Sequence, residues 1–310
     1  MSLLDDKNKV LDRSTDHFLD SISGLERTLY SLVLRILEGF DKERGVLANT
    51  NYNFQQVIRS GDEIRAAFAA SNLSQKVQDW VFDFDKVFDL NRDYWDGEGV
   101  LFNAKINEVL GFEKNQTINK LISDLVGTGV DTNVIQGLQQ RIKEGIVTRQ
   151  KYSELKDVVR NYLITNNTQS RLLRYAGLVT MDSIRGYDGT IQKVVSDEYQ
   201  MEAFRYVGSL EKDSRKTCIG LIRAPDKIYV PRTKETFSNP YAHLVLADGI
   251  YLQKDIAEII KISQNNPGWN PNTTVNTFFV YRGGYNCTHQ ALPYKLSTRQ
   301  KNLYLNNRNN

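Results

Sequence analysis

The sequence predicts an α+β fold, a mainly helical N-terminal region followed by a small mixed α+β module, and three observations lead there. All six prolines (Pro225, Pro231, Pro240, Pro267, Pro271 and Pro293) lie beyond residue 224. Proline lacks the N–H that a helix interior needs and clashes with the preceding turn, so the long proline-free stretch is permissive for helices. Within that stretch apolar residues recur at steps of three and four. In the last third the pattern changes to short β-branched and aromatic runs separated by turns.

Phe18, Ile22, Leu25, Leu29, Leu32, Ile36 and Phe40 line one face of a helix. Ser14 is its expected N-cap, and Gly45, following Lys42 and Arg44, its expected stop. Further helices are expected over residues 54–70, 74–90, 101–111, 116–126, 131–145 and 148–164, with linkers short enough for a compact helical array. From Thr168 the pattern of Leu172, Leu173, Ala176, Val179, Thr180 and Ile184 predicts another helix stopping near Gly186 and Gly189, then a further one from Ile191 to Tyr199. Beyond it Phe204, Tyr206, Gly208 and Leu210 alternate, while Ile228 to Val230 and Val275 to Tyr281 are β-prone. With a helix over Tyr251 to Ile262, a small mixed sheet is the economical expectation. The domains predicted are residues 1–167, helical, and 168–310, the α+β module with a basic tail.

An apolar content of 40% with 25% charged residues excludes a collagen, a disordered chain or a disulfide scaffold. No apolar window reaches the length of a spanning helix, and Asp5, Asp6 and Lys7 stand where a signal peptide needs basic residues and an apolar run, so a cytosolic, unprocessed chain with no membrane partner is expected. In that setting Cys218 and Cys287 are expected as thiols or ligands rather than a disulfide.

Two apparent motifs dissolve on inspection. The aromatics Trp80, Phe82, Phe84, Phe88, Tyr94 and Trp95 interleave with Asp83, Asp85, Asp89, Asp93 and Asp96, but no frame supplies the ligand positions of a calcium loop. A core-facing aromatic stripe with a solvated acidic face is the expectation. Gly127 and Gly129 lack the third glycine and the preceding strand of a dinucleotide fingerprint.

Charge is unevenly placed. Residues 205–234 hold eight basic and three acidic side chains, and residues 295–310 four basic and no acidic ones. Positive charge is thus gathered in the proline-containing third, which suits a polyanion or an acidic partner, the plainer use being a basic tail that stays solvated. Arg205, Lys212, Arg215, Lys216, Arg223, Arg299 and Lys301 are the candidate contacts to such a polyanion, double-stranded DNA if the resemblance described below holds.

Cys287 and His289 are two apart, so on an extended strand both face one way, and Asp213 and Cys218 could converge on them from an earlier turn. No cofactor is expected from these residues, and zinc is the metal that the set Asp213, Cys218, Cys287 and His289 would suit, although no Cys-x-x-Cys pair is present. The plainer use is a buried turn in which cysteine packs while Asp213, Arg215 and His289 satisfy backbone groups. A rival use is an enzyme, with Cys218 or Cys287 as thiolate and His289 as base, or a nuclease placing His289, Arg215 and Lys216 around a phosphate.

Three segments in order carry a resemblance: Arg174-Tyr-Ala-Gly-Leu-Val-Thr-Met-Asp182, Tyr206-Val-Gly-Ser-Leu-Glu-Lys-Asp213-Ser-Arg215-Lys-Thr-Cys218, and Gly283-Gly-Tyr-Asn-Cys287-Thr-His289-Gln-Ala-Leu-Pro293. Together, over about residues 168–295, they resemble the Mu F-like phage head morphogenesis family. Asp213, Arg215, Cys218, Gly284, Asn286, Cys287, His289 and Pro293 match positions of that pattern. Thr288 stands where arginine is common, and the second cysteine that some members carry shortly after Cys218 is absent. The resemblance implies a virion minor head protein near the portal vertex, present in the host cytoplasm during assembly. It would contact portal and capsid or scaffold proteins and DNA, and assist assembly and genome packaging, retention or ejection by binding rather than catalysis. The rival readings are a nucleic-acid hydrolase or toxin-like effector delivered with the genome, and a head-to-tail connector or completion protein.

Overall fold

A computed structural model describes residues 3–164, 170–212, 214–223, 227–230, 234–247, 249–284 and 287–307. The chain divides into two compact units, Met1–Lys86 with Gln116–Ser183, and Val87–Asn115 with Ile184–Asn310. Residues 165–169, where the sequence places the end of the helical region, lie outside the described residues.

The first unit is helical. The helix expected over residues 18–40 is two, α1 (Leu3–Ile22) and α2 (Leu25–Glu38), interrupted at Ser23-Gly24, where glycine is a poor helix residue. The interruption resets the phase of the seam. In α2 it is Leu29, Val33 and Leu37 that are buried, while Leu32 and Ile36 are only half-buried. Ser14 caps nothing: it sits inside α1, where its hydroxyl donates to Asp83 Oδ2 at 2.6 Å. The helix also ends at Gly39, not Gly45, which lies in the turn between β1 (Lys42–Glu43) and β2 (Val46–Leu47).

Thr50 accepts from the Asn53 N–H at the start of α3 (Asn51–Ala70), the N-cap contact that satisfies an otherwise orphaned donor. The helix expected over 74–90 is again two, α4 (Leu73–Val81) and α5 (Asp83–Gly97), whereas those expected over 101–111 and 116–126 are one, α6 (Ala104–Val126). A short α7 (Thr128–Val130) and a π-helical turn (Asp131–Ile135) lead into α8 (Gln136–Val147), followed by α9 (Tyr152–Leu163). In this unit α1 packs on α4, α3 on α8, and α2 on both α3 and α9. Of the aromatic stripe, Trp80, Phe84 and Trp95 are buried and Phe82 is exposed, with Asp85, Asp89, Asp93 and Asp96 exposed as expected of a solvated face.

In the second unit, which takes the C-terminal part of α10 (Arg171–Glu198), that helix runs straight through Gly186 and Gly189. Gly189 is a packing glycine rather than a stop, because a Cβ there would lie 2.3 Å from the carbonyl of Phe279. The strand β3 (Ala203–Val207) sits inside a four-stranded sheet with β6 (Val245–Ala247), β7 (Ile250–Leu252) and β8 (Gln290–Tyr294), in the order β6-β7-β3-β8. Its pairings are all antiparallel, where a mixed sheet was expected; short connections such as that between β6 and β7 are too brief for a parallel crossover. A separate antiparallel pair joins β4 (Lys227–Val230) to β5 (Glu235–Ser238). Helices α11 (Lys216–Arg223), α12 (Ile256–Ser263), α13 (Phe278–Tyr281) and α14 (Thr298–Asn307) complete the unit. The residues read as a helix from Tyr251 therefore begin as strand.

Val275 to Tyr281, read as a strand, instead forms a turn and the single helical turn α13. Thr277 sets this up locally, its hydroxyl donating to the Asn272 carbonyl at 2.9 Å and accepting from the Thr274 N–H at 2.8 Å. The turn then buries Phe278 and Phe279 with Phe204, ring centroids 5.3 and 5.9 Å apart. Side-chain burial outweighs β-propensity here, as it does for most short apolar runs. Among the described residues no helix is long and apolar enough to cross a membrane.

Candidate metal centre

Strand alternation aims one side of β3 at the core. Phe204 and Tyr206 are buried and Arg205 between them is exposed, as a period of two requires. Tyr206 pairs with Ala291 and Val207 with Gln290 across the β3–β8 ladder, so the residues just before β8 run alongside the end of β3. From the other direction, α11 places Cys218 in its first turn. Arg215, immediately before the helix, donates from Nη1 to the Gly283 carbonyl at 3.0 Å and ties that turn to the segment carrying Cys287.

The result is a buried group assembled from residues far apart in the chain. Cys218 Sγ and Cys287 Sγ are 3.8 Å apart, and Cys287 Sγ is 3.6 Å from His289 Nδ1. Tyr206 Oη lies 3.7 Å from the first sulfur and 3.5 Å from the second. Both cysteines are free thiols and, with His289, are buried; the three could hold a metal ion.

Second-contact groups orient the imidazole. His289 Nε2 is 3.0 Å from the Ser209 carbonyl; a carbonyl only accepts, so Nε2 carries a hydrogen, and Nδ1 is the ring atom that faces Cys287 Sγ. Gly208, at φ +144°, lets the backbone pass the ring where a Cβ would be 2.6 Å from His289 Cδ2. Gly283 closes the opposite side. A Cβ there would lie 2.5 Å from Cys218 Sγ, 2.9 Å from Cys287 Sγ and 2.9 Å from Tyr206 Oη.

The electrostatics make the thiols unequal. The hydrogen bond from Cys218, and then the adjacent His289, hold Cys287 well below the usual thiol range against the opposing effect of burial. The same hydrogen bond, together with burial, pushes Cys218 well above it. Burial foremost, then the two sulfurs, raises the Tyr206 phenol well above its ordinary value. Cys287 is thus the first sulfur to ionise, its thiolate accepting from Cys218 and Tyr206. A divalent cation would reverse the position of Cys218, since coordination deprotonates a thiol outright.

A buried polar network supports the segment from behind. Arg282 Nε donates to the Phe279 carbonyl at 2.9 Å, Nη1 to the His289 carbonyl at 3.2 Å and Nη2 to the Arg185 carbonyl, while Asp188 Oδ2 lies 3.4 Å from Nη2. Asn91 Nδ2 donates to Asp188 Oδ1 at 3.0 Å, and Gln192 Nε2 donates to Asn91 Oδ1 at 2.6 Å. Arg185 Nη1 donates to the Thr288 carbonyl at 3.1 Å, so two arginines hold the backbone on either side of the His289 amide.

Of the expected ligands, Cys218, Cys287 and His289 come together and Asp213 lies outside the described residues. His243 is exposed and 2.8 Å from Glu258, not at either thiol. The expected DNA contacts are mixed in situation. Lys212, Lys216 and Arg299 are exposed, Lys216 with its Nζ 5.0 Å from the Phe237 ring centroid. The exposed Arg205 guanidinium sits over Tyr294, and Lys301 pairs with Glu202 at 2.6 Å. Arg215 is half-buried and committed to Gly283, and the Arg223 side chain lies outside the described residues. Tyr206, Gly283 and the Arg282 network escaped the sequence reading as site residues; only the Phe204/Tyr206 alternation hinted that Tyr206 faces the cysteines. Comparison of the chain with known protein families, curated proteins and solved structures finds no match.

Proposed function

We propose that the chain is a phage minor head protein of the Mu F-like kind, associated with the portal or inner capsid, and that it acts by binding rather than catalysis. Its C-terminal module is built around a structural zinc ion held by Cys218, Cys287 and His289. The observation that carries this reading is the convergence of residues that also carry the resemblance: Cys218, Cys287 and His289 meet in one buried group, and Arg215 holds its edge through Gly283. Structural zinc sites are closed, and this one is shut in by the Gly283 backbone and buried on β3. In the helical unit the exposed apolar side chains Ile58 and Phe82 suit contacts to portal or coat subunits. The exposed Arg205, Lys212, Lys216 and Arg299 suit packaged DNA.

Co-expression with the portal protein of the same virus tests the reading. The two should co-purify, Ile58→Asp with Phe82→Asp should weaken the association, and absence of any complex under assembly conditions would sink it. Binding to duplex DNA should fall steeply with salt, and neutralising the four exposed cations should flatten that slope by nearly one unit per lost phosphate contact. Association with a tail-completion protein in place of the portal would favour the connector reading.

A further inference from the structure

We infer that Tyr206 is the fourth donor of the metal centre, making it a four-coordinate Cys218/Cys287/His289/Tyr206 site; this rests on the zinc reading above. The argument is metric. A tetrahedral ion with bonds of about 2.3 Å to sulfur and about 2.0–2.1 Å to nitrogen or oxygen has sulfur–sulfur edges of about 3.8 Å and sulfur–nitrogen or sulfur–oxygen edges of about 3.5 Å. The corresponding edges of this group are 3.8 Å between the sulfurs, 3.6 Å from Cys287 to His289 Nδ1, and 3.7 and 3.5 Å from Tyr206 Oη to the two sulfurs. Four of the six edges therefore already have tetrahedral lengths, the Cys218–His289 edge lies within 4.8 Å, and on this assignment the phenol oxygen supplies the remaining corner.

The charges also close. Two thiolates neutralise a divalent cation, releasing two protons on binding, so His289 and Tyr206 serve as neutral donors and Tyr206 keeps its hydrogen. A fully buried phenol suits that role, since ionising it would add a third anion to a site whose two thiolates already neutralise the ion. Gly283 is then the residue that keeps the fourth corner clear, because any side chain there would meet both sulfurs and the phenol together. On this assignment the fourth ligand is Tyr206 rather than Asp213, which lies outside the described residues.

The test uses the full-length reduced protein with Zn²⁺ and Co²⁺. Wild type should bind cobalt stoichiometrically with thiolate charge-transfer bands and the intense ligand-field bands of a tetrahedral ion. Tyr206→Phe should still bind, but about tenfold or more weakly, with weaker ligand-field bands as a solvent oxygen replaces the phenol. Asp213→Asn should match wild type. Unchanged affinity and spectrum in Tyr206→Phe, or a loss confined to Asp213→Asn, overturns the inference while leaving the metal reading intact. Failure of wild type to bind either ion overturns both. Should Tyr206→Phe fail to fold, X-ray absorption of zinc-loaded wild type decides: two sulfur and two light donors support the assignment, and two sulfur with a single light donor overturns it.

Discussion

The helical unit and the sheet unit bury their interiors by different means. Apart from isolated polar residues such as Asn53, the helical core is a set of seams such as Leu29, Val33 and Leu37, in which one apolar side chain can stand in for another of similar volume. The sheet unit also buries a phenol between two thiols, an imidazole and a guanidinium–carboxylate pair. Each of those groups has a named partner, and none can be exchanged for an apolar side chain while that partner stays. Interchangeable packing makes a durable scaffold for presenting surface, whereas a fixed polar interior makes one arrangement and no other.

The contrast can be broken first at Asp188. Replacing it with alanine leaves the Arg282 guanidinium buried without its counter-charge and should cost about 3–5 kcal/mol in denaturant unfolding. The double variant Asp188→Leu/Arg282→Met should recover part of that loss, and a loss equal to the sum of the singles would deny that the pair acts as a unit. In the helical unit, Leu37→Ala should cost about 2–5 kcal/mol, but Leu37→Met less than about 1.5 kcal/mol. If methionine costs as much as alanine, the helical core is not interchangeable and the comparison fails.

One substitution made in both units should have opposite signs. Gly283→Ala drives a methyl into the sulfurs and phenol and should destabilise by about 1–3 kcal/mol. Gly24→Ala meets nothing within 4 Å on backbone at φ −88°, so it should stabilise by about 0.4–1 kcal/mol through the unfolded chain. Thermal melts of the two variants beside wild type would show whether the signs differ.

How much of this could be read in the sequence follows the same division. That residues 18–38 are helical is legible because helical periodicity is local, but merging α1 with α2 across a single weak breaker, Gly24, put the seam of α2 out of phase. Gly186 and Gly189 misled because a glycine required by a neighbouring carbonyl looks the same in sequence as one ending a helix. Val275 to Tyr281 misled because Phe278 and Phe279 are β-prone by type yet buried by a turn. At the site, Cys218, Cys287 and His289 stood out by chemistry alone. Tyr206 did not, being one of sixteen tyrosines whose role depends on a pairing set by distant residues. Asp188 and Arg282 likewise look like two ordinary surface charges until the fold brings them together.

The pairing of β3 with β8 also orders events in time. The two strands are neighbours in the sheet although most of the module's sequence lies between them. Loop closure over that distance must precede the contacts that reward it, which makes such pairings slow to form. Neither Cys218 nor Tyr206 meets Cys287 until that closure has happened, because Cys287 lies just before β8 and comes in with it. An ion held there would tie the early part of the module to its last strand, so its uptake would serve as a signal that this closure has taken place.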